Sequence, residues 1–365
     1  MDWKKFVKTD LFFVSIIILI ACANIFIRPY FGSLEMSDTS TYVEGARLLQ
    51  GEAIETDDHN LTRALKPVPL WGMTAIKKIC GFDYQIAFLD FAIIFYLALS
   101  ALMYYFLKLF FGSGEKHFLF LGAVLFVCAY PMLKSGISML PESAAIFFYL
   151  LGVYLIFCFY KSPNWKWFAS SVVIIILGFM VKEYSALAGA LLFLVIVFHP
   201  LLRIKQKILY IIYYIIFVLA LFLPWQMYVY NQLGYTYLDW YSTDLIEQGW
   251  SRWYYTVKSL FAVFLLAWFL IPLGIKEWKN LGKNQTSMLK SLIAVSFMIF
   301  LWSATDSRLY YVSALPLSIL AVMGLKRLSQ RTGYALMSVI FIIILAANYL
   351  WLGVGDNFYS IINRF

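Results

Sequence analysis

Charge is scarce in this 365-residue chain: Asp, Glu, Lys and Arg make up only 13% of it, against 62% hydrophobic and 19% aromatic residues. That shortage excludes a soluble protein, because so few polar side chains cannot cover water-exposed domains. Ten-residue alternating segments are lacking too, which removes a membrane β-barrel. The four cysteines give no disulfide framework, since Cys128 and Cys158 fall in apolar runs and Cys80 stands alone. No Gly-rich phosphate loop, zinc-ligand spacing or repeat period occurs.

What the chain does have is a succession of apolar runs of 14 to 23 residues, fit for helices that satisfy their own backbone in lipid. They cover 11–27, 85–107, 118–133, 144–160, 168–181, 185–198, 208–223, 259–275, 291–304, 309–325 and 334–352. The pattern predicts an all-α polytopic membrane protein, one transmembrane domain over 1–365 with about eleven helices. Lys4, Lys5 and Lys8 before an apolar run, with Ala21-Cys22-Ala23 after it, imitate a secretory leader. Apolar sequence continues to Ile27, so this segment is expected to stay as the first helix.

A cytoplasmic N-terminus places 17 of the 29 Lys and Arg on the cytoplasmic side, the orientation that the positive-inside bias favours. The excess of nine positive charges is thus first a statement about topology rather than about nucleic acid, which is not an expected partner. Val181-Lys182-Glu183-Tyr184 then reads as a turn between two short helices. Their apolar cores span only ~21 Å against ~30 Å of hydrocarbon, so Lys182 is expected below the outer surface. Two outer segments are too long for simple connectors: 28–84, with a juxtamembrane helix, and 224–258.

The first of these holds Glu35-Met36-Ser37-Asp38, then Tyr42, Ala46 and Leu49 at helical spacing, then Gly51. It continues with Arg63 and Lys66-Pro67-Val68-Pro69-Leu70-Trp71. A juxtamembrane acidic residue, Tyr four positions on, a Gly after the helix and Lys-Pro with a following aromatic resemble the first periplasmic loop of GT-C glycosyltransferases. The likeness is to the protein O-mannosyltransferase and aminoarabinose transferase branch, and it continues through Pro224-Trp225 and Arg308-Leu309-Tyr310-Tyr311 to Pro316. Pro67-Val68-Pro69 departs from the consecutive prolines of those relatives.

The resemblance implies a bundle of the GT-C type in a bacterial cytoplasmic membrane, moving a sugar from a polyprenyl-phosphate donor on the extracytoplasmic side to a lipid, glycan or protein acceptor. It maps Asp38 onto the catalytic carboxylate, a base for the acceptor hydroxyl in an inverting displacement; the plain alternative is a helix N-cap. Lys66, Arg308, Lys182 and Arg63 are the candidate ligands of the donor phosphate, each with the alternative of an interfacial cation. Lys134 and Arg252 lie on the same side. Tyr42, Glu142, Tyr310 and Trp240 are candidate substrate contacts, although Pro141-Glu142 also suits an ordinary helix start. Metal-binding relatives often carry an acidic residue before the motif lysine; here Leu65 stands there, so no metal ligands are assigned and a divalent ion stays open. Asp57-Asp58-His59 reads as a solvated loop, and the rings of 224–258 as an aromatic belt. Rival readings are a flippase or transporter of a lipid-linked saccharide, a Wzy-like glycan polymerase, and a noncatalytic scaffold.

Overall fold

The computed structural model describes residues 9–52, 58–240, 253–301 and 307–362, and these are helical almost throughout, with no strand among them. α1 (Asp10–Ile27) leads to the juxtamembrane helix α2 (Thr39–Leu49), then α3 (Asp58–Ala64) and α4 (Pro67–Cys80). α5 (Tyr84–Phe111), α6 (Lys116–Val127), α7 (Glu142–Lys161), α8 (Trp165–Phe179), α9 (Leu187–Phe198) and α10 (Ile204–Leu233) follow. After α11 (Tyr237–Trp240) come α12 (Trp253–Phe264), α13 (Leu270–Glu277), α14 (Lys283–Phe297), the short α15 (Ser307–Tyr310) and the long α16 (Ala314–Ile362). Local signals set several starts: Thr9, Asp83 and Asn164 cap α1, α5 and α8 by accepting from Phe12, Ile86 and Trp167 amides.

Among the described residues six spans are long and apolar enough to cross a membrane: Asp10–Phe31, Tyr84–Phe111, Glu142–Lys161, Ile204–Leu233, Val257–Asn280 and Arg308–Val354. Three shorter apolar helices pack among them, Lys116–Val127, Trp165–Phe179 and Glu183–Phe198. α10 buries Val229 alone and turns Ile208, Ile212 and Leu219 outward, as a lipid-facing helix does. α16 is two helices joined at Gly333, whose φ of 79° suits a residue without Cβ.

Hydrophobic runs locate helices but not their breaks, and three boundaries differ from expectation. The 118–133 run stops as α-helix at Val127, with one π-type turn at Met132–Gly136. The 259–275 run is interrupted by a tight turn at Leu265–Phe269, with Leu265 at φ 41°. The supposed loop 224–258 begins as helix, because α10 runs through Pro224 to Leu233. Proline costs that helix one backbone bond, and tertiary packing across it compensates. The Trp225 indole donates to the Ala64 carbonyl at 3.1 Å and meets the Trp71 ring edge-on at 4.8 Å.

Backbones come close where α13 crosses α16. A Cβ at Gly274 would sit 2.0 Å from the Leu320 carbonyl oxygen, and one at Gly324 2.2 Å from that of Leu270. At mid-bundle a buried polar knot joins α1, α5 and α16. The Asn24 amide donates to the Tyr96 hydroxyl at 2.8 Å and accepts from the Tyr349 hydroxyl, while Asn348 accepts from the Tyr130 amide.

Polar groups otherwise gather at the two ends. One end carries the lysine-rich connections: Asp10 pairs with Lys108 and Lys116, Glu115 with Lys326, and Glu277 with Arg327. Lys161 reaches the Leu109 carbonyl and Gln285 that of Phe110. Asp38 lies at the other.

Candidate functional site

A strap holds Asp38 in place. The buried Arg28 guanidinium donates to the carbonyls of Gly32, Ser33 and Lys134 at 3.1 to 3.3 Å. The Met139 amide donates to Leu34 O, and the Thr39 hydroxyl to Met139 O. Residues 32–39 are thereby tied to the segment that leads into α7. Asp38 at the head of α2 and Glu142 at the head of α7 become neighbours.

Asp38 occupies the N-cap position of α2, yet its side chain caps nothing. The carboxylate turns to two guanidiniums: Arg308 donates to Oδ2 at 3.1 Å, and Arg63 stands 3.9 Å away. Burial alone would raise this carboxyl, but Arg308 first, then Arg63 and Lys182, outweigh it and hold it below the usual carboxylate range. Arg63 lies over the Tyr42 ring at 4.6 Å and donates to the Thr41 hydroxyl. Tyr42 is fully buried and packs on Phe88.

Two buried ion pairs flank this centre. Arg308 is also 3.6 Å from Glu142, whose same oxygen accepts from Lys182. On the other flank Lys66 pairs with Glu183 and sits 5.0 Å from the centroid of the Trp240 ring. Lys182 and Glu183 are consecutive, so the turn between α8 and α9 sends one side chain to each flank. A bond from the Val68 amide to Met180 O fastens that turn to the start of α4. Burial pushes the Lys66 ammonium down to about 8, although Glu183 beside it pulls the other way.

The structure thus brings together Asp38, Arg63, Lys66, Glu142, Lys182 and Arg308, with Tyr42 between the flanks and Trp240 at the edge. Lys66 reaches Asp38 only through its neighbours, not by contact. Tyr310 is buried two residues beyond Arg308, its carbonyl accepting from Ser313. Lys134 stacks on Tyr130 instead. Glu142 opens α7, as Pro141-Glu142 suggests, and carries the Lys182 pair as well. Arg252 and Asp57 lie outside the described residues; Asp58 and His59 open α3. Sequence reasoning missed Glu183. Its signal was a charged pair inside a turn between apolar helices, where each charge needs a partner.

Among the described residues four cations, Arg63, Lys66, Lys182 and Arg308, face three carboxylates, Asp38, Glu142 and Glu183. Among the described residues no three His, Cys, Asp or Glu side chains converge, and each clustered carboxylate is held by Lys or Arg. That donor set, among the described residues, does not fit a divalent ion. It fits an anion.

Residues 63–228 match the model of the dolichyl-phosphate-mannose-protein mannosyltransferase family. No curated protein sequence matches the chain. The fold is similar to the crystal structure of ArnT from Cupriavidus metallidurans bound to undecaprenyl phosphate, at 16% identity and TM-score 0.69 over 94% of this chain and 65% of that one. The apo form of ArnT gives 18% and 0.66, over 93% of this chain and 64% of that one. The Archaeoglobus fulgidus oligosaccharyltransferase in complex with zinc and sulfate gives 13% and 0.56, over 94% and 52%. The chain spans just under two thirds of the length of the ArnT chains.

Proposed function

We propose that this chain, an integral membrane protein with the GT-C fold, transfers a sugar from a polyprenyl-phosphate donor to an acceptor hydroxyl outside the cytoplasm. The observation that carries the reading is the cluster around Asp38 at the end of an apolar bundle, in which, among the described residues, four cations gather with three carboxylates. A lipid phosphodiester brings one negative charge, and lipid is where its tail resides. The lysine-rich end faces the cytoplasm by the positive-inside bias, which puts Asp38 on the outer side.

In the reaction the acceptor oxygen attacks the anomeric carbon while the bond from that carbon to the phosphate oxygen breaks. The leaving phosphate gains a second negative charge, which Lys66, Arg308, Arg63 and Lys182 stabilise where it develops. The acceptor proton passes to Asp38. A carboxylate held this low is a weak base, and the good leaving group lets proton transfer come late. Donor phosphate also draws Arg308 and Arg63 toward itself, which loosens their hold on Asp38 and makes it more basic once donor is bound. One displacement inverts the anomeric centre.

The test is incubation of the purified protein in lipid nanodiscs with polyprenyl-phosphate pentoses and hexoses, and with envelope glycolipids, glycans and peptides as acceptors. Mass analysis should show one sugar residue gained by an acceptor. No transfer from any lipid-phosphate sugar would overturn the reading.

A further inference from the structure

Around the charged cluster the protein buries more hydrogen-bonding capacity than it uses. The hydroxyls of Tyr42, Tyr184 and Tyr237 and the Oε2 oxygen of Glu142 are shut off from solvent, with no hydrogen-bond partner among the described residues. Tyr42, Glu142 and Tyr184 are 0%, 2% and 5% exposed; Tyr237 is half-buried as a residue but encloses its hydroxyl. Buried polar groups are nearly always paired, so a set of orphans beside one charged site calls for a ligand.

These groups adjoin the same charged cluster: Arg63 lies over the Tyr42 ring, Lys182 joins Glu142 and stands 5.9 Å from the centroid of the Tyr184 ring, and Trp240 links Tyr237 to Lys66. Tyr184 lies in the field of Glu142, Arg308 and Glu183 and of the Tyr42 phenol, and Tyr237 in that of Glu183 and Tyr42. Tyr42 lies in the field of Arg63, Glu142, Glu183 and Asp38. The rings are held rigidly: Tyr237 stacks on Phe179 with centroids 5.4 Å apart and meets Trp240 edge-on at 5.8 Å, and Tyr42 packs on Phe88.

The chemistry of the four atoms selects the ligand. A phosphate offers acceptors only, and can answer the tyrosine hydroxyls but not a carboxylate oxygen. An isoprenoid chain answers neither. A sugar hydroxyl or amine donates to Glu142, and sugar hydroxyls also accept from phenols. We propose that Tyr42, Tyr184, Tyr237 and Glu142 form the subsite for the sugar ring of the donor, a pyranose with several free hydroxyls or an amine, held between the phosphate clamp and Asp38. This rests on the glycosyl-transfer reading. It gives Glu142 a second duty beside its pair with Lys182, toward the donor sugar rather than the acceptor.

Tyr184→Phe and Tyr237→Phe remove one oxygen each and keep the rings, so packing survives. The probes are polyprenyl-phosphate pentoses and hexoses, with polyprenyl methyl phosphate as a control of equal charge and no sugar. Wild-type protein should bind at least one sugar-bearing probe more tightly than the methyl diester. Each Phe variant should lose about tenfold of that preference, with methyl-diester affinity unchanged. If wild type binds sugar-bearing and methyl diesters alike, or the Phe variants keep the full preference, the subsite is wrong while the phosphate clamp stands. If wild type binds none of these lipids, the glycosyl-transfer reading itself falls.

Discussion

In the proposed reaction Lys66 binds the donor phosphate, and that has a consequence for pH. Lys66 is 2% exposed, and burial lowers its ammonium to about 8 against the partial counter-effect of Glu183, with Arg63 and Lys182 also facing it and disfavouring the charge. Only the protonated form attracts a phosphate, so donor capture by the free protein should be complete below this value and be lost as pH rises through it. kcat/KM reports the free enzyme, and one essential proton makes it at pH 9 about one tenth of its value at pH 7. Below pH 7 no limb should come from Asp38, whose carboxyl is held low by Arg308 and Arg63 against the effect of burial. kcat should fall less at high pH, because bound phosphate restores the proton affinity of Lys66. Glu183→Gln removes the group that supports the charge and moves the alkaline limb to lower pH. Lys66→Arg keeps its charge and abolishes the limb, at a cost in activity, since a guanidinium does not titrate in this range. The assay is sugar transfer at subsaturating donor from pH 6 to 9.5 in nanodiscs. A flat wild-type profile, or a limb unmoved in Glu183→Gln, would refute the assignment.

Further outcomes follow from particular contacts. Arg308→Ala and Lys66→Ala should each weaken binding of a polyprenyl phosphate by about 10- to 100-fold, read by titration in nanodiscs; unchanged affinity would remove them from the clamp. Gly274→Ala and Gly324→Ala each drive a methyl into a facing carbonyl, and thermal unfolding in detergent should show a loss of about 1 to 3 kcal/mol. Tyr349→Phe removes the hydroxyl that donates to Asn24 and should cost about 0.6 to 2 kcal/mol by the same measurement, without altering the pH profile.

The helical bundle was legible because long apolar runs have few other solutions, and the cations at one end follow from counting Lys and Arg along it. Asp38 and Lys66 stood out because the first outer loop resembles that of GT-C glycosyltransferases, and Arg308 because it falls in a short outer turn between two apolar runs. Helix ends were less legible. Pro224 looked like a stop because proline breaks isolated helices, whereas Trp225 anchored on Ala64 carries α10 past it. The ion pairs were not legible at all. Lys182 with Glu142, and Lys66 with Glu183, join residues far apart in the chain through the packing of α4, α7 and the turn before α9. Whether Asp38 caps its helix was likewise open until Arg308 was seen to turn its carboxylate away.

In the proposed reaction Asp38 takes the proton of the acceptor while the flanking cations hold the phosphate. Asp38→Asn keeps the size of the side chain and removes its charge. Donor binding and sugar transfer should be measured side by side on this variant and on wild type in the same nanodiscs. Asp38→Asn should bind the polyprenyl-phosphate sugar at least as tightly as wild type, since Arg308 and Arg63 lose a competing carboxylate, and should transfer no sugar. Wild-type turnover by Asp38→Asn would remove Asp38 from the mechanism.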